Sequence, residues 1–424
     1  MPPSSHAHSH GPDPDAPPPS PETLTRRRRA VRLMLVLLVP VGLATVVGLV
    51  VLWPGSEPTR AEQVAATFLP PGTTYADARV VSLQTLPCGD TGTVAATCAT
   101  AVVEVLEGEG AGDYQQVDLS AEVVANGVAD GDTIVLTRDP GAEGGPNYQF
   151  SDFERTTPMV VLAVAFAVVV GAVARLRGLA ALVGLAFAFV VLLQFVLPAL
   201  LAGSSPTLVS LVGSAAIMFV VLYLAHGLSA RTTTALVGTL FGLTLVTVLG
   251  SVAVGVAKLT GLTSEETVQL GTFDPTLDFS GLVIAGVVVA GLGVLNDVTI
   301  TQASAIWQLH EVDPAMGPRE LYRRGMAVGR DHIASTVYTI VFAYAGAALP
   351  LLLLFEVYTQ PAGVTLTSTV VAEEVIRTMV GAIALVLAVP VTTAVGAFFA
   401  TAAGTAAGAA PERSLSSLRA RFAR

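Results

Sequence analysis

Long apolar runs parted by short polar interruptions fill most of this 424-residue chain. Crossing a hydrocarbon core of about 30 Å takes roughly 20 helical residues. Runs of that order occur near 32–53, 158–174, 178–201, 206–226, 233–257, 280–306, 331–355 and 375–403. The pattern predicts eight transmembrane helices. One region departs from it: "ARVVSLQTL", "TAVVEVLEG", "YQQVDLSAEVV" and "DTIVLTRD", within 75–150, are short alternating or β-branched runs divided by Gly, Asp and Pro. That is the period of strands, not helices.

Four to six strands in so few residues predict a small closed barrel or sandwich resembling an OB-type fold. The expected fold class is therefore mainly α, a polytopic membrane bundle of eight helices, with a small all-β extracytoplasmic domain between helices 1 and 2. In residue terms this gives a disordered tail over 1–30, a first helix over 31–54, the β domain over 55–156, a seven-helix transmembrane domain over 157–405 and a basic tail over 406–424.

Composition agrees with a chain whose solvent is the bilayer. It is 52% hydrophobic and only 13% charged, with a mean hydropathy of +0.68, values foreign to a soluble globule of this length. The first span follows Arg26–Arg29, as a secretory signal would. Its apolar run exceeds a signal's usual 7 to 15 residues, and "LWPGSEPTR" has no small-residue cleavage site, so an uncleaved anchor is expected.

Orientation follows from the arginines, because basic loops stay in the cytoplasm. Arg26–Arg29, Arg175, Arg177, Arg231, Arg319, Arg323, Arg324, Arg330, Arg413, Arg419, Arg421 and Arg424 all fall on one side of an eight-helix path. Both termini are then cytoplasmic. Residues 54–157, 258–279 and 356–374 fall opposite. The first of these holds sixteen Asp/Glu against four Arg, a balance that argues against nucleic acid as a partner. Cys88 and Cys98 are the only cysteines and both lie there. In an oxidising compartment they read as a disulfide closing a short loop, stabilising by about 2–3 kcal/mol; two thiols in a small core are the alternative.

Residues 1–25 are Pro, Ser, His and Asp with little to bury, the composition of disorder. His6, His8 and His10, with Asp13 and Asp15, have a makeup able to hold a transition metal weakly, against an inert polar tail as the plainer reading. Between the sixth and seventh spans, "HEVDPAMGPRELYRRGMAVG" predicts an interfacial amphipathic helix near 319–328 or a loop obeying the positive-inside bias.

The sixth span carries the chemistry. "GLGVLNDVTITQASAIWQLHE", residues 291–311, sets Asn296 and Asp297 inside an apolar helix, about 24 Å along it at 1.5 Å per residue. A carboxylate near the bilayer centre costs about 2.5–3.5 kcal/mol and usually faces a bundle interior or a watery path. Asp297, Thr301, Ser304, Gln308 and Glu311 are spaced 4, 3, 4 and 3 apart, one helical face; Asn296, Thr299 and Gln302 lie off it. The seventh span opens "GRDHIASTVYTIVFAYAGAALP". Its Arg330, Asp331, Ser335 and Thr339, with Thr336 and His332 alongside, are placed to join Asp297 in one cluster, and Gly346 with Ala343 and Ala347 is expected to permit close backbone approach.

Three roles compete for Asp297: a proton or cation relay, a structural acid paired with Arg330 or with hydroxyls, and a direct contact to an ionic substrate. An aspartyl dyad with Asp331 is disfavoured, since Asp331 falls too near the water boundary. Gln194 with Pro198, Thr232–Thr234, Thr239, Thr244 and Thr247, and the small residues Gly238 and Gly242 are expected to serve packing.

Four stretches, "HGLSARTTTALVGTL" (226–240), "LTGLTSEETVQL" (259–270), "GLGVLNDVTITQASAIWQLHE" (291–311) and "GRDHIASTVYTIVFAYAGAALPLLL" (329–353), together resemble the YibE/F family of bacterial membrane proteins. Asp297 matches that family's sixth-helix acid, and Gly329, Arg330, Asp331, Ser335, Thr336 and Thr339 match its Gly-Arg-Asp and hydroxyl pattern; His332 and Val337–Tyr338 depart from it. The resemblance implies a multi-pass protein of the bacterial inner membrane and no defined reaction. Asn296, Asp297 and Glu311 are also similar to the outline of SecD/SecF and resistance-nodulation-division membrane units, which implies a proton-driven machine; the second and third spans are additions to that outline.

The expected function is an ion- or proton-coupled transporter or transport-like protein, with the lipid bilayer around it, an unknown substrate or coupling ion, and a possible extracytoplasmic protein partner. The alternative is a non-transporting scaffold or accessory subunit acting through the β domain. No enzyme is expected, and no cofactor or metal, because the folded part holds no nucleophile–base pair, phosphate loop or metal-ligand cluster.

Overall fold

A computed structural model describes residues 21–68, 72–90, 95–141, 146–357 and 361–403. The histidine-bearing segment at 6–10 and the basic tail over 406–424 lie outside the described residues. In chain order the elements are α1 (Pro21–Val51), α2 (Arg60–Ala65), β1 (Thr74–Asp90), β2 (Ala95–Val105), β3 (Tyr114–Leu119), α3 (Ala121–Ala125), β4 (Thr133–Asp139), β5 (Asn147–Phe153) and α4 (Thr156–Val191). A π-helical turn, Leu192–Val196, leads to α5 (Leu197–Leu201), α6 (Pro206–His226), α7 (Ala230–Ala257), α8 (Glu265–Phe273), α9 (Phe279–Val312), α10 (Pro318–Ala347), α11 (Leu349–Val357), α12 (Ala362–Leu366) and α13 (Thr369–Ala403). The chain divides into two compact units, one within Met1–Ser56 and Ala180–Arg424, the other Glu57–Leu179.

The second unit is built on alternation. Ala76, Ala78 and Val80 on β1, Ala99, Ala101, Val103 and Val105 on β2, Val117 and Leu119 on β3, and Ile134 and Leu136 on β4 are all buried. They recur every second residue, so each strand turns one face to a common core. The five strands pair antiparallel in the order β3-β2-β1-β4-β5. The sheet curls but does not close, contrary to the expected closed barrel or sandwich: β3 and β5 stay unpaired at its two edges. The cleft between them, of about 460 Å³, is lined by Gln116, Asp118, Ser120, Asn147 and Gln149, polar side chains that hydrate an edge. Cys88 and Cys98, with Cα atoms 5.5 Å apart, are joined by a disulfide between β1 and β2. Arg155 beside Asp152 holds that carboxyl below its usual range.

Six helices of the described residues are long and apolar enough to cross a membrane, or seven if α10 and α11, bent by 63°, make one span. The expected second and third spans fall within one helical stretch of 46 residues, Thr156–Leu201. Its regularity breaks at Arg175, whose φ of 55° and ψ of −137° leave the helical region. The π-turn that follows has a local cause. Pro198 has no N–H to offer Gln194 four residues back, and its ring crowds that carbonyl, so the helix widens.

The other helical unit is organised around α7, α9 and α13, with α6 and α10 flanking α9. Gly48 lies against Val212 and Gly42 against Phe219, so α1 runs opposite to α6. Gly184 against Val221 and Val196 against Gly213 make the stretch 184–196 run opposite to α6 as well. The expected interfacial helix at 319–328 is not a separate element. It is the first part of α10, because Leu321 and Gly325 are buried and Gly325 packs on Ile306 and Thr393.

Candidate functional site

Asp278 starts α9 by accepting the Gly281 N–H at 2.8 Å, which fixes the rotation of everything beyond it. The residues turned inward are Thr299, Gln302, Ile306 and His310, all buried. The predicted stripe takes the opposite side: Asp297, Thr301, Gln308 and Glu311 are exposed and Ser304 is half-buried. The expectation that Asp297 faces a protein-lined interior is therefore corrected. At about 100° per residue, burial of Thr299 and Gln302 turns the neighbouring 297–301–308 line away from α7 and α13.

A chain of neutral polar groups joins four helices at the centre. The Thr239 and Thr299 hydroxyls lie 2.6 Å apart, linking α7 to α9. Gln302 Nε2 donates to the Gly325 carbonyl at 3.0 Å and to Thr393 Oγ1 at 2.7 Å, tying α9 to α10 and α13. Thr393 in turn donates to the Val389 carbonyl at 2.7 Å. Gly238 sits hard against Thr392, and Gly325 against Ile306; a Cβ at either position meets a branched side chain. These are the close approaches that let such short side chains reach across. Asn296 Oδ1 is buried without a hydrogen-bond partner among the described residues.

The predicted cluster does not assemble. Arg330, Asp331, Ser335 and Thr339 are exposed on α10, and among the described residues no hydrogen bond or ion pair joins Asp297 to any of them. Thr336 bonds back to the His332 carbonyl at 2.8 Å and Thr339 to the Ser335 carbonyl at 3.2 Å, so these hydroxyls stay within their own helix. Gly346 makes no close approach, and nothing lies within 4 Å of a Cβ there; Gly325 and Gly329 fill that role about five to six turns earlier. Among the described residues no group of three or more His, Cys, Asp or Glu could hold a metal.

A second polar constellation escaped the sequence reading. α13 begins at Thr369, six residues before the apolar run at 375, and so takes Glu373, Glu374 and Arg377 into its first turns. Arg377 Nη2 pairs with Glu373 at 2.9 Å and Nη1 with Glu374 at 2.9 Å. The second oxygen of Glu373 accepts the Thr263 hydroxyl at 2.8 Å, reaching the segment before α8. Glu373 is buried. The signal that could have found the trio is its i,i+3 and i,i+4 spacing.

Helices this long and apolar define an integral, multi-pass membrane protein. The model of the YibE/F-like protein family matches residues 162–402, more than half of the chain, from the first part of α4 to the end of α13. The chain belongs to the YibE/F-like family. No curated protein matches it, and no solved structure does.

Proposed function

We propose that this protein is an ion- or proton-coupled transporter of the bacterial cell membrane, with Asp297 as the group that takes up and releases the coupling ion. The observation that carries this reading is a carboxyl near the middle of the 34-residue α9 with no hydrogen bond or ion pair to the described residues of its own chain. A charge at that depth costs about 2.5–3.5 kcal/mol. A carboxyl without a structural partner offsets that cost by binding a proton or cation, and it is free to release it. Thr301 and Gln308 continue the polar line one and three turns on.

The topology we propose has eight crossings and cytoplasmic termini. α1 and the stretch 184–196 both run opposite to α6, which supports an odd number of crossings between them. The apolar residues before Arg175 are the segment suited to supply one. The β domain then serves as an extracytoplasmic module for a partner or for gating. Asn296, Thr301 and Ser304, on the same helix as Asp297, are auxiliary to the relay in this reading.

The test is flux into liposomes carrying an internal pH-sensitive dye and the purified chain. Asp297→Asn should abolish ion-driven flux while leaving insertion and thermal stability unchanged. Full flux in both Asn and Ala variants would sink the relay. A second reading is favoured by the outward direction of the same stripe: an accessory subunit whose α9 meets another polypeptide. In that case Asp297→Asn changes what co-purifies with the chain and leaves no flux to lose.

A further inference from the structure

One furrow of the helical unit is apolar along its length and charged at a single end. It runs between α10 and α13 beside the 63° bend into α11 and encloses about 420 Å³, within the size of small-molecule sites, about 300–1,000 Å³. Val337, Val341, Leu352, Val375 and Met379 are among its walls, and Tyr344 and Glu374 lie on it.

The charges at that end are unequally committed. Both oxygens of Glu373 are engaged, one by Arg377 and one by Thr263. Both terminal nitrogens of Arg377 are engaged by the two glutamates. Glu374 has given Oε1 to Arg377, and its Oε2 has no partner among the described residues. Two carboxylates against one guanidinium leave a negative excess, with the open acceptor on the furrow.

An anion would meet that excess with both terminal nitrogens of the only guanidinium of the trio already paired to carboxylates and its Nε buried. A neutral chain would cover the walls but leave Glu374 desolvated beside it, which is costly. A cation with a hydrocarbon body satisfies both. We propose that this furrow binds a single-chain amphipathic cation, with its ammonium donating to Glu374 and its hydrocarbon body lying along α10 and α13. The site involves neither Asp297 nor its stripe, and it stands whether or not the chain couples transport to an ion.

The probe is dodecylammonium, titrated by calorimetry into the full chain in phosphatidylcholine nanodiscs, with empty nanodiscs subtracted. One saturable site per chain is expected. Dodecanol and dodecyl sulfate should bind at least about tenfold more weakly, a ratio equivalent to 1.4 kcal/mol. Glu374→Gln should weaken dodecylammonium by a similar factor. Met379→Trp, which fills the furrow and leaves every charge in place, should remove the site, and melting curves of both variants verify that they fold. Equal binding of dodecanol would overturn the proposal, reducing the furrow to a place for lipid tails. So would tight binding that survives Met379→Trp, or a furrow already held by co-purified two-chain phosphatidylethanolamine that the amine cannot displace.

Discussion

The sheet of the second unit and the centre of the helical unit are both tightly packed, yet they are made of different residues. In the sheet the buried positions of β1 to β4 are Val, Leu, Ile and Ala in alternation, joined by Tyr148 from β5. Where α7, α9, α10 and α13 meet, the contacts are Gly238 on Thr392, Gly325 on Ile306, Thr239 on Thr299 and Gln302 on Thr393. The solvent explains the contrast. Water drives branched aliphatics together by exclusion. A bilayer is as apolar as leucine, so helices associate by close backbone approach and short hydrogen bonds. The first core is vulnerable to what is removed, the second to what is added.

The largest effect should come from removal in the sheet. Leu136 on β4 is fully buried, and Leu136→Ala leaves a cavity that costs about 2–5 kcal/mol. Urea unfolding of the full chain, followed by hydrogen exchange of the strand amides, measures it. A cost below 1 kcal/mol would mean that the curled sheet collapses around the void and is not a close-packed core.

Addition at the helical centre comes next. Gly238→Val drives two methyl groups at Thr392 and Thr299, and overpacking of this kind costs about 1–3 kcal/mol. Because the offending neighbour is known, the effect can be sharpened. Gly238→Ala with Thr392→Ala should recover much of what Gly238→Ala alone loses, a coupling that a double-mutant cycle reads directly. Additive losses in that cycle would show that the two helices do not meet at this point.

The same contrast decides what could be read from the sequence. Alternation in water-facing strands identifies both the element and its inner face, and the runs in 75–150 mark four of the five strands; β5, "NYQFSDF", is too polar to announce itself, and closure of the sheet depends on edge residues no local pattern reveals. In the membrane, spacing showed that Asp297, Thr301 and Gln308 share a face of α9 but not which way the face looks. Interior positions there are themselves polar, so Thr299 and Gln302 read no differently from the stripe outside. The Glu373–Glu374–Arg377 trio was hidden for another reason: hydropathy starts the span at 375, between the glutamates and Arg377, whereas the helix begins before all three. The furrow beside it depends on the bend after Ala347, which no window of sequence contains.

The smallest effect should come from the most conspicuous polar group. Gln302 is 1% exposed and bonds two other helices, which on its face makes Gln302→Leu ruinous. Its partners argue otherwise. Thr393 keeps its bond to the Val389 carbonyl at 2.7 Å, and the Gly325 carbonyl belongs to the continuous α10, so neither is left wholly unsatisfied. Hydrogen bonds between membrane helices average about 0.6 kcal/mol and reach about 1.7, and leucine restores most of the lost volume. Reversible unfolding in mixed micelles should therefore show a loss of about 1 kcal/mol, below that of Gly238→Val. A loss above 3 kcal/mol would invert the order, making the polar bonds rather than the glycine contacts the principal tie between these helices.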